Sequence, residues 1–150
     1  MEKIFTAILI SLIFLFAGCS YVYRDFKSVK DMKWYRTDIK TFDVNIPDDG
    51  NYDLMFALRH LTGYPFTSIK VKIEEKTPEG KLFEKKAEFF LADENGNYIG
   101  DVTGELWDIE VPFDENVFLK KGKYTFKISH DMNHNPVILV IDVGLTVKKH

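Results

Sequence analysis

From Trp34 onward, apolar and polar residues alternate with a period of two, and this pattern constrains the fold more than any other feature of the chain. In Thr41–Ile46, Phe42, Val44 and Ile46 face one way and Thr41, Asp43 and Asn45 the other. Tyr52, Leu54, Phe56 and Leu58 repeat the pattern, as do Ile69, Val71 and Ile73 against Lys70, Lys72 and Glu74. Lys81–Leu91 reads as a long strand with Phe83, Ala87, Phe89 and Leu91 inward. Further strands are expected at Tyr98–Gly100, Leu106–Phe113 (edged by Pro112), Tyr124–Ile128 and Val137–Val147. Between them lie turn formers: Pro47-Asp48-Asp49-Gly50, Gly63-Tyr64-Pro65, Thr77-Pro78-Glu79-Gly80, Lys121-Gly122 and Asp131–Pro136. Asn95-Gly96 predicts a hairpin with a type I′ turn, whose two central residues both need positive φ. Beyond the N-terminal segment no stretch holds a 3.6-residue period for three turns. About eight or nine strands at roughly 8–12-residue spacing predict an all-β, antiparallel β-sandwich; a jelly roll is one topology that accommodates them.

The first residues follow different rules. After Met1-Glu2-Lys3, residues 4–17 carry no charge. A helix crossing a bilayer needs about 20 apolar residues, so this run has the length of a signal-peptide core. It ends Ala17-Gly18-Cys19-Ser20, which resembles the bacterial lipobox, with Phe16 where Leu is usual. That resemblance implies a thioether-linked diacylglycerol on Cys19, cleavage between Gly18 and Cys19, and acylation of the new amine. Several acyl chains anchor stably where one does not. Ser20 lacks the acidic character of inner-membrane retention, so an outer-membrane protein facing the periplasm is expected. The predicted organisation is a signal peptide at 1–18, a lipidated tether at 19–32 and the β domain at 33–150.

Composition narrows the chemistry. The 150 residues carry a formal net charge of −3, which argues against a nucleic-acid partner. Cys19 is the only cysteine, so neither an intrachain disulfide nor a Cys-based zinc site can form. His130 and His134 lie four apart, but in a polar loop without the intervening Glu of a helical zinc motif. Asp93-Glu94-Asn95-Gly96-Asn97 has oxygen ligands at alternate positions like a calcium loop; Tyr98 then stands where Gly is required and Gly104 where Glu is. No nucleophile–base pair or distinctive carboxylate pair stands out, so no catalytic residue, cofactor or metal is assigned. Trp34, Tyr64 and Trp107 are candidate interaction aromatics, by stacking on sugar rings or by packing against a protein.

The order of the segments carries a resemblance. Leu54–Arg59, Tyr64-Pro65-Phe66, Thr77-Pro78-Glu79-Gly80, Leu91-Ala92-Asp93, Tyr98-Ile99-Gly100 and Trp107 come first. Gly122–Ile128, Met132 and Ile141-Asp142-Val143-Gly144-Leu145 follow. Together, behind a lipobox, they resemble the gliding motility lipoprotein GldH family of the Bacteroidota, from Trp34 to Val147. The resemblance implies a non-enzymatic accessory lipoprotein of the envelope, associated with gliding and the linked type IX secretion machinery. Its implied partners are other envelope lipoproteins or components of those machines, and Cys19 is the only functional residue it transfers. Gly144 is expected where a neighbouring chain comes close. The alternative is a glycan-binding β-sandwich lipoprotein.

Overall fold

The computed structural model describes residues 21–150. The expected signal peptide, the Gly18–Cys19 cleavage site and the lipidated Cys19 lie outside the described residues. The strands in chain order are β1 (Tyr21–Ser28), β2 (Lys33–Trp34), β3 (Lys40–Ile46), β4 (Gly50–Leu61), β5 (Ser68–Lys76) and β6 (Leu82–Phe90). They continue with β7 (Asp101–Thr103), β8 (Leu106–Leu119), β9 (Gly122–His130), β10 (Val137–Ile138) and β11 (Val140–Lys149). One sheet has the order β1-β11-β4-β8-β7, the other β3-β9-β5-β6, with β10-β2 as a small ribbon; all pairings are antiparallel. Leaving aside the short strands, the chain crosses between the sheets at nearly every connection. That interleaving is the jelly-roll topology.

The alternation explains the core. Tyr52, Leu54, Phe56 and Leu58 of β4 are all buried, as are Phe42, Val44 and Ile46 of β3 and Ile69, Val71 and Ile73 of β5. Phe56 reaches across the sandwich to stack on Phe89 of β6, with ring centroids 4.7 Å apart. Burying each such side chain contributes about 1.5–3 kcal/mol, so these positions fix the register of both sheets.

Four expectations need correction. The segment read as a tether is largely strand: Tyr21–Ser28 pairs along β11, from Tyr21 opposite Lys148 to Ser28 opposite Asp142. Its sequence, Tyr-Val-Tyr-Arg-Asp-Phe-Lys-Ser, hides the period because this edge strand meets the core with half-buried Val22, Tyr23 and Lys27, the first two adjacent across a register irregularity. Phe83 shares its face with buried Phe89 yet is 57% exposed, because this end of edge strand β6 is left uncovered. The Asn95-Gly96 turn is not type I′: only Gly96 has positive φ (80°). Gly96 N–H instead donates to Asp93 C=O (3.0 Å), and Asp93 N–H donates to Asn97 C=O (2.8 Å). This is a longer loop closed by a left-handed glycine. Finally, Pro112 does not end its strand. β7 flanks β8 only at Leu106–Asp108, so the proline's missing N–H faces a free edge, and β8 runs on to Leu119.

Candidate functional site

The outward face of the five-stranded sheet gathers charge from four strands. Arg59 of β4 is central. Its Nε donates to Asp108 Oδ1 (2.7 Å), its Nη2 to Asp108 Oδ2 (3.2 Å) and its Nη1 to Asp142 Oδ2 (3.3 Å). Ser28 Oγ donates to the other oxygen of Asp142 at 2.8 Å. Register produces the cluster, because Arg59 is the direct cross-strand partner of Asp108 on β8 and of Asp142 on β11. The Asp108 hydrogen bond and the two carboxylate charges hold the Arg59 guanidinium above its usual pKa, against some desolvation.

A second cluster surrounds Glu110. It receives Thr146 Oγ1 at 2.9 Å, Lys148 Nζ at 3.1 Å and Arg24 Nε at 3.4 Å. Burial acts to lower the Lys148 pKa, yet the hydrogen bond and charge of Glu110, with Tyr21 adding to them, raise it overall. Between the clusters Phe26 of β1 lies over Gly144, where an added Cβ would sit 2.7 Å from the ring. This is the close approach expected at Gly144. A groove of about 500 Å³ opens over this face, lined among others by Tyr21, Arg24, Phe26, Arg59 and Asp101. Its carboxylates at Asp108 and Glu110 are paired within the sheet, by Arg59 and by Lys148 and Arg24. The sequence reading missed these residues. Each is an ordinary polar position of a strand, and only the register brings them together.

The candidate aromatics are placed differently from expectation. Trp34 is fully buried, its Nε1 donating to Asp38 C=O at 2.9 Å and its ring edge-on to His130 at 5.4 Å. Tyr64 is buried too, and desolvation raises its pKa. Both belong to the core and present no platform to a ligand. Trp107 is half-buried against Tyr98 (5.3 Å), and its Nε1 donates to Thr62 Oγ1 (3.1 Å). The three therefore form no common surface.

The remaining candidates resolve into structural roles. His130 is buried at the end of β9, with Nδ1 accepting from Met132 N–H (3.3 Å), while exposed His134 packs on Phe66 at 4.9 Å. Asp93 Oδ1 accepts from the N–H groups of Asn95 and Asn97 (both 2.9 Å), which organises the loop. His60 is buried between Tyr64 and Tyr98, each 5.1 Å away, and burial lowers its pKa. Glu75 lines a cleft of about 330 Å³ at the sandwich edge beside Phe83, Lys85 and Asp114. Desolvation, aided by the Asp114 charge, raises its pKa. Asp114 is tied to Lys85 at 2.6 Å, so the pair is a bound ion pair flanked by one partly desolvated acid.

The model of the family described as GldH lipoprotein matches residues 21–147. "Gliding motility lipoprotein GldH homolog" of Christiangramia forsetii is 28% identical over 153 residues, covering 95% of this chain and 93% of that protein. "Gliding motility lipoprotein GldH" of Flavobacterium johnsoniae is 26% identical over 136 residues, covering 85% and 84% respectively. Among solved structures, a family 35 carbohydrate-binding module from Clostridium thermocellum aligns with 84% of this chain and 89% of its own. Its TM-score is 0.40 at 12% identity.

Proposed function

Because the chain belongs to the GldH lipoprotein family, we propose that it is a lipid-anchored envelope protein, an accessory or assembly factor for gliding motility and the linked type IX secretion machinery. Residues 1–18 are the signal peptide, Gly18–Cys19 is the cleaved bond, and Cys19 carries the lipid. The protein sits at the outer membrane and faces the periplasm. Support comes from one conjunction: the matched region begins at Tyr21, directly behind Ala17-Gly18-Cys19. The protein acts by contact instead of catalysis. Its partners are other envelope lipoproteins or secretion and gliding components, and the ion-paired face around Arg59 and Glu110 is the contact surface. The burial of Trp34 and Tyr64 speaks against the glycan-binding alternative.

Co-purification tests this reading. Affinity-tagged wild type should bring down envelope proteins that the charge reversals Arg59→Glu and Glu110→Lys, both folded, lose. An unchanged set of partners in both variants would remove the face from the proposal.

A further inference from the structure

One end of the sandwich is fixed close to the anchor by covalent geometry. Ser20 alone separates Cys19 from Tyr21, and two extended residues span about 7 Å. Tyr21 is the first residue of β1 and pairs with Lys148 near the end of β11. The same end of the molecule therefore holds the start of β4, the turn between β8 and β9, and the loop between β5 and β6. Contacts tie these pieces together: Lys121 N–H donates to Asp49 Oδ1 (2.7 Å) and Lys120 Nζ to Glu79 Oε1 (3.0 Å).

This end has a composition of its own. Phe118 is 62% exposed and Leu82 75% exposed, large apolar side chains that the core has no use for. Phe118 shares with Phe83 a cleft of about 320 Å³ whose other walls include Lys81, Lys120 and Lys121. Lys123 and Lys149 are exposed nearby. Asp49 and Glu79 offset part of this charge, but Lys121 and Lys149 form no ion pair among the described residues. The opposite end of the sandwich exposes Asp31, Asp93, Glu94, Asp101 and Glu105 together with Lys30, Lys33 and Arg36. The exposed lysines at 81, 120, 121, 123 and 149 thus stand among the exposed acids Asp48, Asp49, Glu79 and Glu115 and beside the uncovered side chains of Leu82, Phe83 and Phe118.

We propose that this end, centred on Phe118, Phe83 and the lysines at 120–123, is a membrane-docking surface that rests on the anionic headgroups of the bilayer holding Cys19. The proposal builds on the lipid-anchor reading above. Aromatic rings settle at the level of the headgroups, lysine stems lie along apolar surface while the ammonium reaches the phosphates, and anionic lipid attracts nearby lysines. With the anchor no more than about 7 Å from Tyr21, this surface has no long spacer to hold it off the bilayer. Docking also fixes orientation: the strands stand away from the membrane and the loops around Asp93 and Glu105 point outward.

The mature, lipid-modified chain reconstituted into vesicles containing phosphatidylglycerol tests this. Cys19 is the sole cysteine and its Sγ is taken up in the thioether to diacylglycerol, so Phe118→Cys introduces one thiol for an environment-sensitive fluorophore, and Ile138→Cys gives a distal control. Both positions are exposed, so labelling spares the core. The label at 118 should shift to the blue and be quenched by nitroxide-bearing lipid, while the label at 138 stays in water. Lys121→Gln and Lys149→Gln should each lower the docked-to-undocked ratio roughly fivefold, and vesicles of phosphatidylcholine alone should lower it further than either. Vesicle-bound protein whose label at 118 stays in water, or shifts only when a second protein is added, overturns docking and leaves the anchor standing. Protein that fails to float with the vesicles and carries no added mass at Cys19 overturns the anchor and docking together.

Discussion

Gly144→Ala is a sharp test of the place of β1 in the fold. The new Cβ would meet the Phe26 ring at 2.7 Å and the Ala57 Cβ at 3.1 Å. Overpacking of that kind costs about 1–3 kcal/mol, relieved only if Phe26 swings off the sheet and uncovers it. Alanine also recovers about 0.5–1 kcal/mol that glycine loses in a strand. The net expectation is a loss of about 1 kcal/mol, or about 4 °C in Tm for a chain of this size. Removing the ring reverses the sign: in a Phe26→Ala background, Gly144→Ala should stabilise by about 0.5–1 kcal/mol. Urea or thermal denaturation of the four proteins of this cycle reads both numbers. If Gly144→Ala stabilises equally with and without the Phe26 ring, β1 does not lie on β11 and the segment is a tether after all.

Three other outcomes are expected. Burial lowers the pKa of His60 and of His130 below 6.5, so the unfolded chain binds more protons as the pH falls below that value. Stability should therefore be level above about pH 7 and fall below pH 6.5, by up to about 1.4 kcal/mol per pH unit for each histidine; a urea titration of His60→Gln should show a shallower slope than wild type. Trp34→Ala should cost about 3–5 kcal/mol by calorimetry, since its whole side chain is core; a near-neutral result would return Trp34 to the list of ligand contacts. Arg59→Ala should cost only about 0.5–1 kcal/mol, because the side chain is a third exposed, while weakening partner capture far more.

The strands most legible in the sequence are those with one face in the core. β3, β4 and β5 declare themselves because a period of two with apolar residues on one side is what a half-buried strand requires. β1 was illegible for a physical reason: as an edge strand with an irregular start it meets the core through Val22, Tyr23 and Lys27 and crosses Gly144 with Phe26 on the outer face, so neither face is uniformly apolar. Phe83 misleads in the opposite sense, since parity gives its face but not whether anything covers that face. The ionic cluster was hidden because Arg59, Asp108 and Asp142 are far apart in sequence, and only pairing register makes them neighbours. Trp34 and Tyr64 look like ligand contacts by residue type, yet each buries a ring and satisfies its polar atom on a nearby carbonyl: Trp34 Nε1 on Asp38 and Tyr64 Oη on Ser68.

The most direct test of the assignment is deletion of this gene in a motile host, with gliding and type IX secretion measured in the same strain. Loss of both, restored by wild type but not by Cys19→Ser, is the expected result. Intact gliding and secretion in the deletion strain would contradict it.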